Sequence, residues 1–200
     1  MLTLSINPAA RALIFDIDGT LVDTLAIHYR AWKAALLELD NYSLSPQQFK
    51  AIIGYGKSDM VERLSLLLAR PLDFRLHAER QEAHYASYLT SVRQIEPVVT
   101  LLTDYFGRLP VCLATSEHRR IAELNIKAAG LAGHFDFLLT AEDVARPKPD
   151  PEIYLKASRL MGQAPGLCQV FEDSPVGIRA ARSAGMMVTD VSACTSDVLS

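Results

Sequence analysis

Ala12-Leu13-Ile14-Phe15-Asp16-Ile17-Asp18-Gly19-Thr20 is the stretch that decides the fold. Ala12 to Phe15 is a short, unbroken apolar run, the pattern of a parallel strand buried on both faces. Two carboxylates follow at once, and in an open parallel sheet ligands bind beyond the carboxyl ends of the strands. While the chain is extended, the two-residue spacing aims Asp16 and Asp18 toward one side. Gly19 permits the sharp departure that must follow. Two carboxylates at one strand end repel each other, so the pair calls for a cation or a shared proton. The competing reading of these residues alone is a strand running into a solvated acidic turn.

Four more apolar runs follow: Val111 to Ala114, Phe135 to Leu139, Gln169 to Phe171, and Met187 to Val191. Helix-like segments separate most of them: Val98–Tyr105, Arg119–Ala129, Ile153–Met161 and Pro175–Ala184. The last three end at Gly130, Gly162 and Gly185, the usual left-handed stop. Strands alternating with helices predict an α/β layer fold around a mainly parallel sheet. The gap from about Leu21 to Ile95 holds no convincing strand and is too long for one crossover helix. Within it Leu25, Tyr29, Trp32, Leu36 and Leu39 recur at helical spacing, as do Met60, Leu64 and Leu67, then Tyr85, Leu89 and Val92. The expectation is a core of residues 1–20 and 94–200, with a helical domain, 21–93, inserted after the first strand. Its linkers would leave the core side by side, near Thr24 and Ser91.

Three further strand ends or loops carry chemistry. The fourth run leads into Glu172-Asp173-Ser174-Pro175 and a helix; a plain helix cap at Asp173 or Ser174 is the competing reading. Four acids at two strand ends of one sheet are costly without a metal, and hard oxygen donors favour magnesium over zinc. No cysteine or histidine cluster has zinc spacing. The second run ends in Thr115-Ser116 just before a helix, where hydroxyls and N–H groups bind anions or simply cap. In Arg146-Pro147-Lys148-Pro149, prolines on both sides of Lys148 stiffen its backbone and suit a buried counter-charge to the acids.

The chain has 200 residues, half of them hydrophobic, and a formal net charge of -3 from 20 basic and 23 acidic residues. No block of like charge stands out, so neither nucleic acid nor an anionic membrane is an expected partner. The first residues show no signal peptide, and no run is long and apolar enough to span a bilayer. The three cysteines, Cys112, Cys168 and Cys194, are widely spaced and read as small hydrophobes in a reducing cytoplasm. A monomer or weak dimer is expected.

Asp-x-Asp-Gly-Thr after a strand, Thr or Ser after the second strand, Lys-Pro, and Glu-Asp-Ser-x-x-Gly together resemble the four motifs of the haloacid dehalogenase superfamily. The run Asp23 to Lys33 is similar to the β-phosphoglucomutase and sugar-phosphatase branch, which includes fructose-1-phosphatase-like enzymes. The resemblance implies a Rossmann-like catalytic core with an inserted α-helical cap, and a phosphatase acting on small phosphorylated sugars with Mg2+. It implies Asp16 as the nucleophile that forms an aspartyl-phosphate, and Asp18 as the general acid and base. Metal would be held by Asp16, the Asp18 backbone carbonyl and Asp173, with Glu172 close by. Thr115 and the Ser116 N–H would hold phosphoryl oxygens, with Lys148 balancing charge. A sugar alkoxide leaves poorly and needs the second acid, Asp18, which points to phosphate esters. His28 and Lys57 fall where the branch places substrate-facing groups; a surface histidine and a helix-decorating lysine are the plain alternatives. Members often carry a Lys where this chain has Gln81. That weakens a second phosphate site, for which Lys57, His118, Arg119 and Arg120 are the candidates. It also weakens the β-phosphoglucomutase alternative. The other rival is a non-catalytic phosphosugar-binding module. His77, His84, His118 and His134 show no constellation.

Overall fold

The computed structural model describes residues 4–52, 57–89 and 92–194 of the chain; the side chains of Lys57 and Ser58 lie outside the described residues. The chain divides into two compact units, Met1–Asp23 with Val92–Ser196, and Thr24–Ser91.

The first unit is built on five parallel strands: β1 (Ala12–Phe15), β4 (Val111–Ala114), β5 (Phe137–Leu139), β6 (Cys168–Glu172) and β7 (Met187–Asp190). Their order across the sheet is β5-β4-β1-β6-β7. The central three are buried at every position, which is why their sequences are apolar throughout rather than alternating. Register keeps their ends level: Phe15 lies opposite Leu113 on one side and Phe171 on the other, and the Phe15 and Phe171 rings stack at 4.7 Å. Asp16, Ala114 and Glu172 therefore reach the carboxyl edge together. The strands after β1 lie to one side of it as far as β5 and to the other from β6 on. The edge between β1 and β6 is thus the switch point where ligands gather in such sheets.

The helices of this unit are α5 (Glu96–Tyr105), α6 (Arg119–Ala128), α7 (Glu152–Leu160) and α8 (Pro175–Ser183). Ala12, Ile14, Cys112, Ala114, Cys168 and Val170 share one buried cluster with Ile153, Tyr154 and Ala157 of α7 and Ala180 and Ala181 of α8. Gly130, Gly162 and Gly185 have the positive φ that the helix stops require.

Two departures from the sequence expectation stand out. The supposedly strandless gap opens and closes on a short antiparallel pair, β2 (Val22–Asp23) with β3 (Arg93–Gln94), where the chain leaves for and returns from the helical unit. Two residues carry no periodicity for a sequence reading to detect. The third run starts late, at Phe137; before it Asp136 joins Val111 twice, donating its N–H to the Val111 carbonyl at 2.9 Å and accepting the Val111 N–H through its carboxylate at 2.8 Å.

The second unit contains α1 (Leu25–Asp40), α2 (Pro46–Ile52), α3 (Lys57–Leu67) and α4 (Phe74–Tyr88). Trp32, Leu36, Leu44, Phe49, Ile52, Met60, Val61 and Leu64 form its core. Asp73 caps α4 by accepting the Leu76 N–H at 2.8 Å. His77, which shows no constellation in the sequence, is a buried structural residue that joins Asp40 through Nε2 at 2.9 Å. No helix among the described residues is long and apolar enough to cross a membrane.

Candidate active site

The site is assembled from four loops at the carboxyl edge of the sheet. Asp16 follows β1 directly and its N–H still donates to the Phe171 carbonyl at 3.0 Å. The ladder then stops, and Asp18 sits in a turn bridged to Val22. Gly19 takes φ +83° in that turn, and any side chain there would collide with the Asp173 carboxylate. The glycine is needed for the turn and for the close approach alike.

Lys148 reaches in from the loop before α7 and is 6 % exposed. Its Nζ donates to Asp16 Oδ1 at 2.8 Å, to Glu172 Oε2 at 2.8 Å and to the Ala114 carbonyl at 3.1 Å. Three partners for three ammonium hydrogens satisfy it completely. Burial pulls its pKa down, but Asp16 and Glu172 outweigh burial and hold it well above the ordinary lysine value. This is the buried counter-charge that the flanking prolines suggest.

Glu172 is the hub of the cluster. Its Oε2 accepts from Lys148 and from the Tyr154 hydroxyl at 2.7 Å. Its Oε1 accepts from the Ser174 hydroxyl at 2.9 Å and the Ser174 N–H at 3.0 Å. Burial raises Glu172, yet Lys148 and these hydrogen bonds prevail and keep it below the ordinary glutamate value. Gly177 leaves room for it, since a Cβ there would overlap Oε2. Ser174 is also the cap of α8, accepting from the Gly177 N–H at 3.0 Å. Asp173 is not a cap: it accepts from the Thr20 hydroxyl at 2.9 Å. Asp18 Oδ1 accepts from Asn125 Nδ2 at 2.8 Å.

Asp16, Glu172 and Asp173 each offer a carboxylate oxygen within 4.8 Å of the others. Burial, then Glu172, push Asp16 well above the usual carboxylate value despite Lys148; the same two causes push Asp173 up to about 7. The acids therefore outweigh the lysine. The donor set is all hard oxygen, and a divalent cation of the magnesium type fits it.

Thr115 is buried, and its Oγ1 accepts from the Glu117 N–H at 3.0 Å. It and Ser116 lie in the loop before α6, which begins at Arg119 as the sequence suggests. That start is occupied by Glu142, which accepts the Arg119 N–H at 2.9 Å. His28 and Lys57 belong to the helical unit. His28 is buried on α1 with its ring 4.5 Å from that of Tyr85, and the Lys57 side chain lies outside the described residues.

Three participants escaped the sequence reading. Thr20 was in view but had no assigned partner. Tyr154 lies on an apolar helix face and gives no polar signal. Asn125 did give one, being an amide in a row of buried apolar residues on α6.

The family model for haloacid dehalogenase-like hydrolases matches residues 10–185, a span that contains Asp16, Asp18, Lys148, Glu172 and Asp173. The chain belongs to the haloacid dehalogenase-like hydrolase family. It is 35% identical over 182 residues to the fructose-1-phosphate phosphatase YqaB of Escherichia coli, covering 90% of this chain and 95% of the relative. It is 31% identical over 185 residues to hexitol phosphatase A of the same organism, covering 92% and 83%. A hydrolase from Pseudomonas syringae superposes with a TM-score of 0.81 at 27% identity, covering 94% of this chain and 87% of that one. Within this family of hydrolases, the chain has an α/β core with a parallel sheet and a second, helical unit.

Proposed function

We propose that the protein is a magnesium-dependent phosphatase of small phosphorylated sugars, working through an aspartyl-phosphate on Asp16. The observation that carries the reading is the buried carboxylate cluster, in which Lys148 is the one cation bonded to Asp16 and Glu172 among the described residues, with Asp173 beside them. Such a site suits a phosphoryl group, whose transfer depends on positioning and charge neutralisation. Similarity to sugar-phosphate phosphatases supports the substrate class.

Asp16 attacks phosphorus as the bond to the sugar oxygen breaks, and Asp18 gives that oxygen a proton. Asp18 then takes a proton from water, which attacks the phosphorus of the aspartyl-phosphate and restores Asp16. Thr115 and the Ser116 N–H hold the phosphoryl oxygens, with Lys148 balancing charge. Asp16, the Asp18 backbone carbonyl and Asp173 would hold magnesium, which would supply neutralisation of charge on the transferring group. Glu172, engaged at both oxygens, holds Lys148 in place. His28 and Lys57 are proposed to read the sugar. The proposed state is a monomer or weak dimer. Free cysteines fit a reducing cytoplasm.

Hydrolysis is favoured over mutase chemistry by what surrounds the candidates for a second phosphate site. His118 pairs with Glu142 at 3.1 Å and Arg119 with Asp143 at 2.7 Å, so a second phosphate there would meet two carboxylates. The test is phosphorus NMR of the protein with fructose 1-phosphate, or with β-glucose 1-phosphate and a trace of the 1,6-bisphosphate. Inorganic phosphate appearing only with magnesium is expected; conversion of the glucose ester to glucose 6-phosphate would overturn it.

A further inference from the structure

Asn125 is a buried amide on an otherwise apolar face of α6. The inward face of α6 is Ile121, Ala122, Asn125 and Ile126, and Asn125 is fully buried. Asparagine is a weaker helix former than leucine. An amide on an apolar face is unfavourable unless it is hydrogen bonded. Here Nδ2 donates to Asp18 Oδ1 at 2.8 Å, across 107 positions of sequence.

The helix that carries this donor is held at both ends. At its start the Arg119 N–H and His118 bind Glu142, and the Arg119 guanidinium binds Asp143. At its end the Gln94 side chain donates to the Ala129 carbonyl at 2.6 Å. Asp18 itself is past the end of β1, in a turn whose next residue is a glycine, so the sheet does not fix its side chain. Through Asn125 the helix supplies a fixed donor to the Asp18 side chain.

We propose that Asn125 is a positioning residue for Asp18 in leaving-group protonation, an inference that rests on the phosphatase reading above. With Oδ1 facing an N–H, the proton of the acid form sits on Oδ2. As Asp16 bonds to phosphorus and the phosphorus–oxygen bond to the sugar breaks, Oδ2 hands its proton to the departing oxygen. In the second half Oδ2 takes a proton from the attacking water. The amide serves both halves unchanged, because it donates to Oδ1 whether or not Oδ2 is protonated. General acid catalysis is worth roughly 10²–10⁴-fold, and a misplacement on the order of 1 Å forfeits much of such a gain.

The test compares leaving groups. An aryl ester such as p-nitrophenyl phosphate expels an oxygen that needs little protonation, whereas a sugar phosphate expels an alkoxide. The quantity kcat/KM reports steps through departure of the alcohol. The full chain with magnesium is assayed on fructose 1-phosphate and on p-nitrophenyl phosphate, as wild type and as Asn125→Leu, which suits an apolar helix face. Asn125→Ser, whose hydroxyl is too short to span the gap, is the second variant should the first fail to fold. The expected result is a fall in the ratio of sugar-ester to aryl-ester kcat/KM of about ten-fold or more. An equal loss on both esters, or none, overturns the inference while the wild-type activity leaves the phosphatase reading standing. A wild type inactive on both esters overturns the two together.

Discussion

Each unit buries carboxylate charge, one group at Asp40 in the helical unit and three in the core, and the two clusters are built in opposite ways. In the helical unit Asp40 has one oxygen on the Arg70 guanidinium and the other on His77 Nε2, while His77 Nδ1 meets the Asp73 carbonyl at 2.7 Å. Every polar atom of that carboxylate is answered within the fold. In the core unit three carboxylates share one lysine, and two of the three are forced upward in pKa by their burial and their neighbours. A balanced cluster ties α1 to α4; an unbalanced one is poised for a cation and a phosphoryl group. Buried charge thus marks function where it is left uncompensated and architecture where it is not.

The sharpest way to break this contrast is to neutralise one acid in each cluster. Asp16→Asn should lower turnover by about 10³-fold or more, because an amide does not attack phosphorus, with circular dichroism unchanged. Asp40→Ala should do the reverse. It leaves His77 buried without its partner and should lower stability by roughly 2–4 kcal/mol in denaturant unfolding. A turnover loss as large as that of Asp16→Asn would mean the helical cluster is not merely architectural.

The pH response sharpens the comparison further. Asp173, pushed up to about 7, favours its protonated form in the folded state. The stability this contributes is complete below the ordinary carboxylate range near pH 4 and is lost as pH rises through about 7. A divalent cation binds the ionised form. The rise in Tm on adding magnesium should therefore be larger at about pH 8 than at about pH 5.5. Asp173→Asn should abolish most of that rise while lifting the metal-free Tm at the higher pH. A magnesium shift independent of pH would contradict the account.

The smallest effect belongs to the partly exposed pair Arg119–Asp143. Arg119→Ala should cost about 0–1 kcal/mol of stability and leave KM for a sugar monophosphate within about two-fold. A steep rise in KM would restore Arg119 as a phosphate contact.

Much of the core was legible because its strands are buried on both faces and its helices stop at glycine. Those signals are local. The Asp16–Lys148 and Glu172–Lys148 bonds could be anticipated, since the two acids sit at neighbouring strand ends and the flanking prolines stiffen the loop that carries the lysine. Asn125 and Tyr154 could not be assigned, because each sits on a helix whose facing partner is set by tertiary packing 107 and 18 residues away. The β2–β3 pair was too short to have a period. Asp40 and His77 were hidden for the same reason as Asn125: 37 residues separate them, and only the antiparallel seating of α1 on α4 joins them.

The central claim is that the unbalanced core cluster serves covalent phosphoryl transfer on Asp16. Its most direct test is acid quench of the enzyme in early turnover with fructose 1-phosphate, followed by peptide mass spectrometry. The account predicts one phosphoryl group on the peptide carrying Asp16 when magnesium is present, and none in excess chelator or in Asp16→Asn. A phosphoryl group on any other residue, or full phosphate release in chelator, would contradict it.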